Sequence, residues 1–121
     1  MNEKTRLVDC HVHTSGVSTC CRLNASRIVD EAVGAGIDGI ILTNHYALSY
    51  IEKKHIYETL PDMARAHVEE FRRVRAIGEE KGLLVMFGVE LTMEQYGGTH
   101  LLIKIWPLSR SYRISRSPPS R

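Results

Sequence analysis

Five polar residues interrupt or end the apolar stretches of this 121-residue chain, and their types suit a metal ion. Asp9, His11 and His13 alternate with Cys10 and Val12, His45 follows the run GIILTN, and Glu90 follows LLVMFGV. Imidazole nitrogen combined with carboxylate oxygen suits Zn²⁺, Mn²⁺ or Fe²⁺. On a strand, residues i and i+2 point the same way, roughly 6.5–7 Å apart. His11 and His13 can therefore grip one ion or two adjacent ions. Asp9, on the same side, can be a ligand or an acceptor that fixes a histidine tautomer. A lone His-x-His arises by chance among core and surface histidines. The bland reading, satisfied buried histidines, must account for polar interruptions at three separate places, and buried charge without a partner or an ion is costly.

The elements that must position these residues follow from the pattern of the chain. Residues 7–13 alternate, with Val8, Cys10 and Val12 on one face and Leu7, Asp9, His11 and His13 on the other, which predicts a strand. Asn24 is the expected N-cap of a helix to about Ala35 with an apolar face of Ile28, Val29, Ala32 and Val33. The run 39–42 predicts a short buried strand. Residues 46–61 read as a loop with one helical turn, broken at Pro61. The span 62–81 is the strongest helix, with Met63, Ala66, His67, Phe71, Val74 and Ile77 at three- and four-residue steps and Gly82 as its cap. Strands are expected at 83–89 and 101–106. The order β-α-β-α-β-β predicts an α/β fold around a largely parallel sheet, and such sheets carry their sites at the carboxyl ends of the strands.

Composition narrows the class. At 13.7 kDa, with 43% apolar and 25% charged residues, the chain fits one small globular domain. No apolar run approaches the roughly 20 residues of a membrane span, and the N-terminus lacks the apolar core of a secretory signal. Three cysteines, Cys10, Cys20 and Cys21, are too few for a disulfide framework and point to a reducing, cytoplasmic compartment. The net charge of +2 hides a division. Residues 107–121 hold four Arg, five Ser, three Pro and no acid, leaving 12 basic against 14 acidic residues in 1–106. The body is mildly acidic and shows no nucleic-acid footprint; the tail reads as disordered.

The motifs together resemble a known family. The run 9–15, DCHVHTS, is similar to the first motif of the PHP (polymerase and histidinol phosphatase) superfamily. Leu42-Thr43-Asn44-His45 resembles the second, usually Thr-Asp-His, and Gly88-Val89-Glu90 the third. His100, before Leu101-Leu102, resembles the His that follows this Glu in the branch that includes nucleotide phosphatases. The resemblance covers about residues 7–106. It implies a distorted (β/α)₇ barrel, two or three divalent metals at the strand ends, and hydrolysis of phosphate esters. It further implies that His11 and His13 hold one metal, that Glu90 bridges, that His100 serves a second metal and His45 a third, and that Asp9 is a ligand or an orienting group; these six are the expected catalytic and metal residues. The implied substrate is a small phosphomonoester or a nucleotide, with a phosphodiester in nucleic acid within the chemistry of the family.

Three departures stand out. Asn44 replaces the usual Asp and brings no charge. The loop after His13 carries Cys20 and Cys21 where many relatives place an acid or a His; they read as inert loop thiols, with a substitute ligand as the alternative. Relatives are longer and supply a further His and an Asp-x-His from later strands. The expected architecture is therefore about the first half of a PHP-type barrel (1–106) followed by a Ser/Arg/Pro tail (107–121) with the look of a frame-shifted read-through. An unclosed barrel would expose strand edges open to self-association. The rival reading is an inactive metal-binding module or a non-functional fragment. Arg22, Lys53 and Lys54, in loops after strand ends, read as solvated charges before phosphate contacts, His67 as packing, and His55 as surface.

Overall fold

A computed structural model of the chain describes residues 5–93 and 99–104, with side chains through Leu91. The 107–121 tail and the side chain of His100, on which two of the expectations fall, lie outside the described residues. The elements are β1 (Val8–Val12), α1 (Ala25–Gly34), β2 (Gly39–Leu42), β3 (His45–Ala47), α2 (Ser49–Glu52), α3 (Leu60–Lys81), β4 (Leu84–Met93) and β5 (Thr99–Lys104). Among the described residues they form an open, mixed five-stranded sheet. Strands β1 to β4 are joined by parallel pairings and β5 runs antiparallel to β4. The α/β class with a largely parallel sheet is as expected; closure into a barrel is not among the described pairings.

Register explains the site. β2 pairs with β4 from Gly39↔Leu84 to Leu42↔Phe87, and β3 pairs with the same strand from His45↔Glu90 to Ala47↔Thr92. The offset is constant, so β2 and β3 are one strand interrupted at Thr43-Asn44, and Glu90 N donates across the gap to Asn44 O (3.0 Å). The apolar run thus extends into a second short strand where the sequence reads as loop. β5 pairs with the residues of β4 that also pair with β3, so it occupies the opposite edge.

β1 departs from simple alternation. Its partners are Val8↔Gly39 and Asp9↔Ile40, then Val12↔Leu42, so one extra residue is accommodated between Asp9 and Val12. Such a bulge re-aims side chains and frees backbone groups, and Asp9 Oδ1 accepts from His11 N there (3.1 Å). Val8 and Cys10 are exposed, and only Val12 of this strand is buried. Among the described pairings β1 has β2 alone as a neighbour, which leaves its outer edge bare.

The helices cover one face. Asn24 caps α1 by accepting from Arg27 N (3.0 Å), and the helix buries Ala25, Val29 and Ala32. Val33, expected on that face, is exposed because it lies beside the buried stripe rather than in it. Thr59 caps α3, Pro61 sits in its first turn where no N–H is needed, and Gly82 ends it at φ 78°. Pro61 therefore opens this helix instead of breaking a loop. Val29, Ile40, Leu42, Phe71, Val74, Val85 and Phe87 form the main core between the helices and the sheet. Ile41 and Met86, on the opposite face by alternation, are also buried.

Candidate metal centre

The sheet divides support from chemistry. Ile40, Leu42, Val85 and Phe87 turn toward the helices. By alternation Asn44 shares that side, while His45 and Glu90, paired in register at the strand ends, face the other. The bulged β1 brings His11 to the same place, and His13 follows one residue beyond the strand.

Three imidazoles converge on one carboxylate oxygen. Glu90 Oε1 lies 2.7 Å from His11 Nε2, 2.9 Å from His13 Nε2 and 3.8 Å from His45 Nδ1. The rings of His11 and His13 are 5.0 Å apart and those of His13 and His45 4.4 Å, both edge to face. Glu90 is 8% exposed. Burial pushes its carboxyl upward, but the hydrogen bonds from His11 and His13 and the nearby charge of His45 outweigh this and hold it below the usual carboxylate range.

The donor set fits a divalent ion. One ligand atom from each of His11, His13 and Glu90 lies within 4.8 Å of the others, and the same holds for His13, Cys20 and His45. Zinc-type bonds of about 2.1 Å set tetrahedral ligands about 3.4 Å apart, and the observed separations at Glu90 bracket that spacing. The clusters open onto a cavity of about 490 Å³ lined by Asp9, His11, Val12, His13, both vicinal cysteines and Ile28. The residues expected from the sequence are thus gathered in part. His11, His13, His45 and Glu90 meet. Asp9 lines the cavity, but its Oδ1 is engaged with its own strand. His100 is described only by its backbone pairing with Thr92.

Two further groups lie beside the cluster, Cys20 and Glu70, of which the sequence singles out only the first. Cys20, read as an inert loop thiol with a substitute ligand as the alternative, has Sγ 3.4 Å from His13 Nδ1. With the His13 proton on Nε2, facing Glu90, the Nδ1 lone pair is free to accept from that thiol. Glu70 of α3 is 2% exposed. It accepts from Thr14 Oγ1 (2.5 Å) and is paired with Arg73. Thr14 in turn accepts from Asn44 Nδ2 (3.1 Å), and Asn44 Oδ1 accepts from Thr14 N and Ser18 Oγ (2.7 Å each). Gly16 makes room here: a Cβ would lie 2.5–2.6 Å from the Glu70 carboxylate and would have to displace it. The signal for Glu70 was its position on the apolar stripe of α3, three residues after His67 and beside Phe71.

This buried network makes the Asn44 departure intelligible. The position needs an acceptor and a donor at once, which an amide supplies and a carboxylate does not. His67 is buried, and its Nδ1 and Nε2 lie 2.9 and 2.8 Å from the carbonyls of Met63 and His45. Both bonds require both ring protons, whereas burial, the dominant influence, pushes its pKa down toward the neutral ring that keeps only one. Tyr46 packs its ring 5.3 Å from His67 and donates to Leu60 O. Lys54 donates to Thr19 Oγ1 (3.0 Å) and lies over the Tyr50 ring. Arg22, Lys53 and His55 are exposed.

No protein-family model and no curated protein matches the chain. A solved structure does: a two-domain protein from Bacteroides vulgatus containing a predicted PHP-like metal-dependent phosphoesterase. The two are 26% identical with a TM-score of 0.59, over 81% of this chain and 25% of that one. The chain thus spans about a quarter of that neighbour's length. Ordered motifs, a parallel sheet with its histidines at the strand ends, and this shared fold agree: the chain resembles the amino-terminal part of a PHP-type metal-dependent phosphoesterase domain.

Proposed function

We propose that the chain works in metal-dependent hydrolysis of phosphate esters, with a small phosphomonoester or nucleotide as substrate. The observation that carries this reading is the convergence of His11, His13 and His45 on one Glu90 oxygen beside an open cavity. His11, His13, His45 and Glu90 would hold the divalent ions, joined by Asp9 and by His100 from β5. Bound ions of this kind supply a water acidified toward neutral pH and neutralise charge on phosphoryl oxygens. The chain's own contribution is positional. Register sets His45 against Glu90, the bulge in β1 aims His11, and the Asn44 network holds the loop that follows His13. Glu90, kept ionised by its imidazole partners, supplies the negative charge that draws a cation to the cluster. We place the chain in a reducing, cytoplasmic compartment, consistent with its free cysteines. Among the described residues no helix is long and apolar enough to cross a membrane.

A second reading, a metal-binding module without turnover, rests on the ligand clusters themselves, which can hold an ion whether or not a substrate is turned over there. Holding an ion needs the cluster, while turnover needs a whole site. Phosphate release from a phosphomonoester, abolished by chelator and restored by Mn²⁺ or Zn²⁺, supports the first reading, and Glu90→Gln is expected to lower metal affinity by about 10- to 100-fold. A folded, metal-loaded chain that releases no phosphate leaves the second.

A further inference from the structure

We infer that Cys20 is a metal ligand: with His13 and His45 it forms a second ion position, one whose thiolate selects a thiophilic divalent ion such as zinc over manganese. This rests on the metal-dependent reading above and goes beyond it, since that reading uses nitrogen and oxygen donors only.

The two vicinal thiols are in different situations. Cys21 Sγ is used within the loop, donating to His13 O (3.3 Å) and lying 3.6 Å from Leu23 O. Cys20 Sγ instead faces His13 Nδ1 (3.4 Å), and its sulfur lies within 4.8 Å of a nitrogen of both His13 and His45. That placement is built. Thr19 N donates to the Tyr50 hydroxyl (3.1 Å), while Ser18 Oγ donates to Asn44 Oδ1 and accepts from His45 N (2.9 Å). The loop before Cys20 is therefore tied to the segment that carries His45. Cys20 is exposed, so the sulfur is reachable by an incoming ion.

The donor chemistry decides the ion. Two imidazoles and a thiolate leave a fourth tetrahedral position open, the pattern of zinc sites that keep a place for water or substrate. Soft sulfur adds affinity for zinc and cobalt and little for manganese or magnesium. His13 sits between the two clusters, with Nε2 toward Glu90 and Nδ1 toward Cys20. A neutral imidazole has one lone pair to give, so His13 serves one ion at a time: an ion bound by Cys20 takes Nδ1, and His11 and Glu90 then hold the other position while the His13 proton stays on Nε2 against Glu90.

The test is a titration of the purified, metal-free full chain with cobalt(II), alongside Cys20→Ser and Cys21→Ser, with folding checked by far-ultraviolet circular dichroism. Wild type and Cys21→Ser are expected to develop the near-ultraviolet thiolate-to-cobalt charge-transfer band. Cys20→Ser is expected to lose it and to bind zinc at least about tenfold more weakly. In wild type, bound zinc should also protect Cys20, but not Cys10, from alkylation read by mass spectrometry, an arm that needs no variant. Cobalt bound without the band, a band that survives Cys20→Ser, or zinc bound without protection of Cys20 would overturn the thiolate site while leaving the metal-dependent reading standing. No uptake of either ion would overturn both.

Discussion

Two buried regions of this small domain are held by different forces. Beneath the helices, Val29, Ile40, Phe71, Val74 and Val85 are packed by area and shape, and this attraction has no preferred direction. At the strand ends, Thr14, Ser18, Thr43, Asn44, His67, Glu70 and Glu90 are buried polar groups joined mostly by directed hydrogen bonds. Thr43 Oγ1, for example, accepts from Val12 N (3.1 Å) just where β1 delivers its histidines. Apolar packing decides that the sheet and helices come together. The polar layer decides where individual nitrogens and oxygens stop, which is what an ion requires. It is also the more brittle of the two, because each unmet partner costs its full desolvation.

The comparison can be broken from either side. The largest effect is expected in the apolar region: Phe71→Ala removes a ring set 5.2 Å from that of Phe87 and should cost about 3–5 kcal/mol by denaturant unfolding. Metal bound per folded chain should be unchanged, and a parallel loss of metal affinity would show that the two regions are not separable. Next is Asn44→Asp. The carboxylate would compete with Glu70 for the single Thr14 hydroxyl proton, at a cost of about 1–3 kcal/mol. Glu70→Gln in the same chain should recover part of that cost, a coupling that a double-mutant cycle measures; an Asn44→Asp chain as stable as wild type would refute the network.

The smallest effect is a slope. Burial lowers the His67 pKa below its ordinary 6.5, so the unfolded chain takes up the proton first on acidification. The stability linked to His67 is therefore complete above about pH 6.5 and is lost as pH falls through the lower folded value. Unfolding midpoints across that range should fall with acid in wild type and flatten in His67→Gln. A rise on acidification would mean instead that both ring nitrogens donate, to Met63 O and His45 O.

Much of this was legible in the residues. Asn24, Gly82 and the apolar steps of α3 mark helix ends and faces through local chemistry that needs no tertiary partner. The run GIIL is apolar at every position and is buried at every position. Other features were not legible, because they depend on partners far along the chain. The β3 extension exists because β4 continues past Glu90 and offers a ladder in the same register. The bulge in β1 is visible only against β2. Glu70 reads as one more helix acid until Thr14 and Gly16 are seen to close over it.

The sequence by itself determined most of the element types and the identities of the candidate ligand side chains, since these follow from local periodicity and from which atoms each residue can offer. Only the tertiary structure decided that His45 faces Glu90 and that Cys20, rather than Cys21, turns toward the imidazoles. Strand register and loop hydrogen bonds set those choices, and they join residues 26 to 45 positions apart, a separation that no local pattern encodes.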